Sequence, residues 1–100
     1  MVAVSSEETG RRHYLYIGQS WGRKAEENVE EWGLQDVETL LLAMQEEQGE
    51  LAQAFLEAAY EGGDPERVAE ELADLGALCF QLRWSLNDCH GQPGGDHRVE

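Results

Sequence analysis

Two acid pairs stand at the same i, i+3 spacing: Glu47 with Glu50, and further along the chain Glu71 with Asp74. Each is immediately preceded by another glutamate, Glu46 and Glu70. Side chains three apart on a helix are neighbours, so each pair offers two carboxylates from one face. Two such pairs facing each other repel unless something positive lies between them. Arg67, one turn before Glu71, is the nearby basic residue, and one guanidinium does not balance four carboxylates. A divalent ion or two does. All-oxygen ligation selects hard cations, Mg2+ first and Mn2+ or Ca2+ next. A di-iron centre of the ferritin-like kind would pair Glu with His at this spacing, and no His is present there.

The apolar pattern places these acids where water is scarce. On a wheel of about 100° per residue centred on Glu47, an arc of about 80° to either side holds Val37, Leu40, Ala43, Met44, Leu51, Ala54, Phe55 and Ala58. Glu50 lies about 60° away on the same face and Glu46 about 100° away at its edge. Centred on Glu71, the arc holds Val68, Leu75, Leu78, Cys79, Leu82 and Leu86, with Asp74 about 60° off and Glu70 about 100° off. A lone ionised carboxylate in such a stripe costs several kcal/mol of desolvation and protonates or finds a partner. Taken singly, each glutamate also reads as a snorkelling side chain in an ordinary ion pair. The repetition on consecutive helices favours a cation site.

The elements that must position these pairs are marked by their ends. Ser20 is a candidate N-cap for a first helix from about Trp21 to Trp32, with Trp21, Ala25, Val29 and Trp32 at helical spacing and Gly33 closing it. The preceding "HYLYIG", His13 to Gly18, reads as an extended arm or a short helical turn. Asp36 caps a second helix that runs to about Tyr60 and stops at Gly62-Gly63. Asp64-Pro65-Glu66 opens a third, with an Asp cap, Pro at the first position and an acid in the first turn, continuing to about Asn87. The tail "GQPGGDHRVE" has no periodicity and reads as loop. The expected fold is all-α: a helical hairpin plus a short N-terminal helix, in a single domain of residues 1–100 with core 20–90 and an arm and tail at 1–19 and 91–100. Two long rods and a short one leave apolar faces uncovered, so a second copy of the chain is expected to complete a four-helix bundle.

Composition excludes several classes. Of 100 residues, 21 are acidic and 7 basic, with a single lysine and a formal charge of −14. Such a chain repels phosphate backbones, which excludes electrostatic nucleic-acid binding, and it repels anionic membrane surfaces. The excess acid is either a solvated surface that keeps the protein soluble or a store of cation ligands, and the two readings are compatible. No apolar run approaches the roughly 18 residues of a membrane span, and "MVAVSSEETGRRH" lacks the basic start and apolar stretch of a signal peptide. A soluble cytoplasmic protein is expected. Cys79 and Cys89 make no disulfide framework. Cys79 reads as a small buried hydrophobe, and Cys89, His90 and His97 lack the partners of a zinc finger.

"EEQGE" at Glu46 to Glu50, followed by "ELAD" at Glu71 to Asp74, resembles the EExxE…ExxD signature of the MazG-like nucleotide pyrophosphohydrolases, of the all-α NTP pyrophosphatase superfamily. The likeness spans roughly residues 32 to 87, including the flanking apolar residues of "EEQGELAQAF" and "EELADLGALCFQL". It implies a helical bundle assembled as a homodimer or dimer of dimers, and Mg2+-dependent cleavage of a (d)NTP to the monophosphate and pyrophosphate in nucleotide-pool housekeeping. Carried over by position, Glu47, Glu50, Glu71 and Asp74 would be metal ligands. Glu46 would be a further ligand, or the catalytic group that orients or deprotonates the attacking water. Arg67 matches a position where similar proteins carry a basic residue and would touch phosphate; an i, i+4 ion pair with Glu71 is the other reading. Arg11, Arg12, Arg23 and Lys24 would approach the substrate from the N-terminal side. Trp21 and Trp32 would stack on a base or, more simply, pack the first helix. Many members of the family continue into a further basic motif, whereas this chain reads "NDCHGQPGGDHRVE", with Arg98 alone. The alternative function is a non-catalytic, metal-binding helical dimerisation module of the same fold.

Overall fold

The structure is a computed structural model that describes residues 6–91, with side chains from 9 to 88. The chain is all-α, with three helices in the order α1 (Ser6–Trp32), α2 (Val37–Tyr60) and α3 (Pro65–Gly91). No strand occurs among the described residues.

The ends of α2 and α3 are set by the residues read from the sequence. The Asp36 carboxylate accepts the Thr39 N–H at 2.8 Å, and that bond holds its carboxyl below the usual range. Asp64 accepts the Glu66 N–H at 2.9 Å, and Pro65, which has no N–H to satisfy, takes the first helical position. Gly33 and Gly62, with φ of 83° and 75°, make the left-handed turns that end α1 and α2. Behind Gly62, the N–H groups of Glu61 and Gly63 both donate to the Glu57 carbonyl at 2.9 Å, closing the turn between α2 and α3.

The first helix differs from expectation. It starts at Ser6 rather than near Trp21, so Ser20 lies inside it and caps nothing. "HYLYIG" is helical as well. Gly10 and Gly18 are the weakest formers between Ser6 and Ser20, and each costs about 1 kcal/mol without stopping a helix. Residues 11–17 are all exposed.

The third helix lies between the other two, packing along α2 on one side and against α1 on the other. Small side chains make these approaches possible. Ala25, Leu40, Ala54 and Ala77 are the buried apolar residues among those described. The Trp21 ring lies directly over Gly76, where any Cβ would overlap it. Two buried polar groups tie α3 to its neighbours: Gln81 accepts from the Asn28 amide of α1 at 2.9 Å, and the Ser85 hydroxyl donates at 3.0 Å to the carbonyl of Gln35 in the link between α1 and α2. Trp32, expected to pack with Trp21, is 69% exposed, because α1 ends there and nothing covers its ring. Cys79 is exposed rather than buried, since α3 turns Ala77, Gln81 and Ser85 inward and leaves the Cys79 flank open. Cys89, His90 and His97 lie outside the described side chains. No helix among the described residues is long and apolar enough to cross a membrane.

Candidate metal centre

Packing α2 along α3 brings Glu47 against Glu71 and Asp74. One carboxylate oxygen from each lies within 4.8 Å of the others, and all three side chains are half-buried. Glu47 sits at the middle of the α2 stripe, so the face that packs the hairpin also carries its carboxylate inward. Glu50 and Glu46 are exposed, as is Glu70. Glu50 still contributes to the field on Glu47 from the rim. Glu46 stands outside the cluster.

Two cations border the cluster. Arg67 donates to Glu71 at 2.9 Å and approaches Glu57 at 3.8 Å, so the i, i+4 pair is formed. From α1, the Lys24 ammonium lies 2.9 Å from Asp74. Lys24 therefore corrects the expectation that Arg67 is the one basic residue near the acids. It is the lysine of the N-terminal basic cluster, and the crossing of α1 over α3 brings it in. Arg11, Arg12 and Arg23 remain exposed. Arg23 lines a separate open groove of about 1000 Å³ between α1 and α3, with Gly22, Phe80, Arg83 and Trp84, and none of the three clustered carboxylates contributes to it.

Burial pushes the Glu47 carboxyl up to about 8, aided by the hydrogen bond and charge of Glu71 and by the charges of Glu50 and Asp74. Glu71 moves the other way: its hydrogen bonds with Glu47 and Arg67 hold it below the ordinary range. Burial and the neighbouring acids thus favour a proton on Glu47 when no cation separates the carboxylates. Asp74 and the hydrogen bond it makes raise Lys24. With that proton, Lys24 and Arg67 in place, the three carboxylates are electrically balanced.

Hydrogen bonding is less complete than the charge. Glu47 Oε2 and Glu71 Oε1 are buried and have no partner. Orphaned buried carboxylate oxygens are costly, and here they converge in an all-oxygen set that suits a hard divalent cation. The donor chemistry therefore fits Mg2+ or Mn2+, with Glu47, Glu71 and Asp74 as the residues that would hold it and Glu50 adjacent.

Comparisons of the chain with protein-family models, with curated proteins and with solved structures found no match.

Proposed function

We propose that the chain is a Mg2+-dependent nucleotide pyrophosphohydrolase of the MazG-like kind, cleaving a (d)NTP to the (d)NMP and pyrophosphate. The observation that carries this reading is the convergence of Glu47, Glu71 and Asp74 with two buried, unpartnered oxygens among them. It is supported by the spacing of Glu46, Glu47, Glu50, Glu71 and Asp74, which resembles the family signature. The chemistry a bound Mg2+ supplies is neutralisation of the phosphates and polarisation of the phosphorus centre.

The chain's own residues divide the remaining work. Glu47, Glu71 and Asp74 bind from the hairpin interior, and Glu50 closes the set from the rim. Glu46, exposed one residue before Glu47, would be the group that orients or deprotonates a water approaching from solvent. Arg67, about half exposed, can leave Glu71 for a phosphate oxygen once the carboxylate has another counter-charge. A chain of charge −14 requires such ions to accept a polyanion at all.

The working unit in this reading is a cytoplasmic homodimer or dimer of dimers. Leu41, Leu42, Phe55 and Leu56 are each at least half exposed and fall within an arc of about 140° on α2. Gln45, Gln48, Gly49 and Ala52 share that arc, and its only acid is Glu38 near the helix start. A largely apolar face with one acid at its end suits, on so acidic a chain, contact with a second copy.

The test incubates purified protein with a panel of NTPs and dNTPs and Mg2+ or Mn2+ while pyrophosphate is measured. Release by wild type and none by Glu47→Gln/Glu50→Gln is expected. No release above that control would leave the second reading, a metal-binding dimerisation module, provided that divalent ions still raise the wild-type melting temperature.

A further inference from the structure

Of the two cations bordering the carboxylates, Arg67 comes from the motif helix itself, one turn from Glu71. Lys24 comes from a different helix and is the only lysine in the chain. The placement is selective. Arg23, its neighbour in sequence, points into the groove on another side of α1, while Lys24 meets Asp74 at 2.9 Å. Both partners of this pair are about 40% exposed, at 42% and 39%, so the lysine stem lies at the mouth of the cluster rather than sealed within it. Its ammonium touches one of the carboxylates that would hold a cation and also feels Glu47 and Glu27.

The Lys24 ammonium on Asp74 Oδ1 and a divalent ion held by the same carboxylate are like charges a few ångströms apart, and they repel. A divalent ion that draws three carboxylates together competes with a single exposed ion pair whose strength is small. Once released, a four-carbon stem carrying three N–H donors can turn outward at the mouth of the site, where an anionic ligand would enter. Among the described residues Arg67 is the other cation bordering the cluster, and it starts from two carboxylates, Glu71 and Glu57, where Lys24 starts from one.

We propose that Lys24 is the internal counter-ion of Asp74, that a divalent cation displaces it, and that the displaced ammonium then binds the substrate's terminal phosphates. The role rests on the metal-dependent reading above. It makes α1, which carries none of the motif acids, the element that couples metal loading to phosphate capture. Lys24 is a binding residue in this scheme and moves no proton.

The experiment compares wild type with Lys24→Gln and Arg23→Gln, which make the same change in charge at adjacent positions, only one of which touches Asp74. Circular dichroism first checks that both variants are helical. Calorimetric titration with Mn2+ alone is the first arm. Lys24→Gln is expected to bind up to about fivefold tighter than wild type, the range of an exposed ion pair, while Arg23→Gln stays near wild type because its charge is solvent-screened. The second arm titrates inorganic pyrophosphate into the Mn2+-loaded proteins. Here Lys24→Gln is expected to bind about tenfold more weakly, the loss of one charged hydrogen bond, with Arg23→Gln again near wild type. Equal behaviour of the two variants in either arm would overturn the proposal. Wild type that follows both arms and yet turns over no NTP upholds Lys24 as the displaced counter-ion and removes the enzymatic reading alone. Turnover by wild type with indistinguishable variants does the reverse.

Discussion

Replacing Glu47 by Gln tests the electrostatic account of the cluster most directly. In the metal-free chain the Glu47 carboxyl is raised from 4.5 to about 8, first by burial and then by Glu71. Between those values the folded chain holds a proton that the unfolded chain has released, so stability falls as pH rises through the window and levels off above it. Glu71 is shifted downward, so its contribution is lost only as pH falls below the ordinary carboxylate range, outside that window. One pKa unit corresponds to about 1.4 kcal/mol, which makes the ceiling for Glu47 about 5 kcal/mol. The mouth of the cluster is open on the Lys24 side, and solvent screening brings the expected effect to about 2 kcal/mol. For a domain of 100 residues this amounts to roughly 10 °C in melting temperature. Thermal melts followed by circular dichroism in a chelating buffer, from about pH 5 to about pH 8.5, read it out. Wild type should lose about that much across the range. Glu47→Gln should be nearly flat and melt above wild type at the alkaline end, because its amide donates to Glu71 without a proton to lose. A wild-type slope in Glu47→Gln, or melting below wild type at about pH 8, would refute a raised Glu47 carboxyl.

Three further outcomes follow from the packing. Gly76→Ala places a Cβ about 2.0 Å from the Trp21 ring; such overpacking costs about 1–3 kcal/mol, seen as a lower melting temperature and altered tryptophan fluorescence. Asn28→Ala leaves the buried Gln81 oxygen without its donor, a loss of about 1–3 kcal/mol in urea denaturation. Leu42→Glu/Phe55→Glu charges the exposed face of α2; sedimentation should show self-association of the wild type abolished in the variant while its helical signal is kept.

Much of the hairpin was legible because its signals are local. Asp36, Gly62, Asp64 and Pro65 act on the backbone within a few residues, so the bounds of α2 and the start of α3 agree with the chain's own punctuation. The start of α1 was not legible. Ser20 carries the chemistry of a cap, but nothing in the residues before it compels the helix to stop, and a capping residue inside a continuing helix simply stays in it. The period of the apolar residues likewise put Glu47 and Glu71 on the packed faces of their helices, and the structure brings those two together with Asp74. The same period put Glu50 on the α2 face, yet it is exposed at the rim, because a wheel gives direction around one helix and not depth between two.

The sequence by itself determined the helical class, the turn that makes the hairpin antiparallel, and the placing of Glu47 and Glu71 on the packed faces of their helices, since each depends on residues near one another along the chain. Only the tertiary structure decided the rest: that Lys24 rather than another cation meets Asp74, that Trp21 lies on Gly76 while Trp32 lies bare, and that burial beside Glu71 raises the Glu47 carboxyl. Those outcomes depend on how α1 crosses α3 and how far water reaches between α2 and α3. Both are set by contacts among residues far apart in the chain, where no local spacing carries the information.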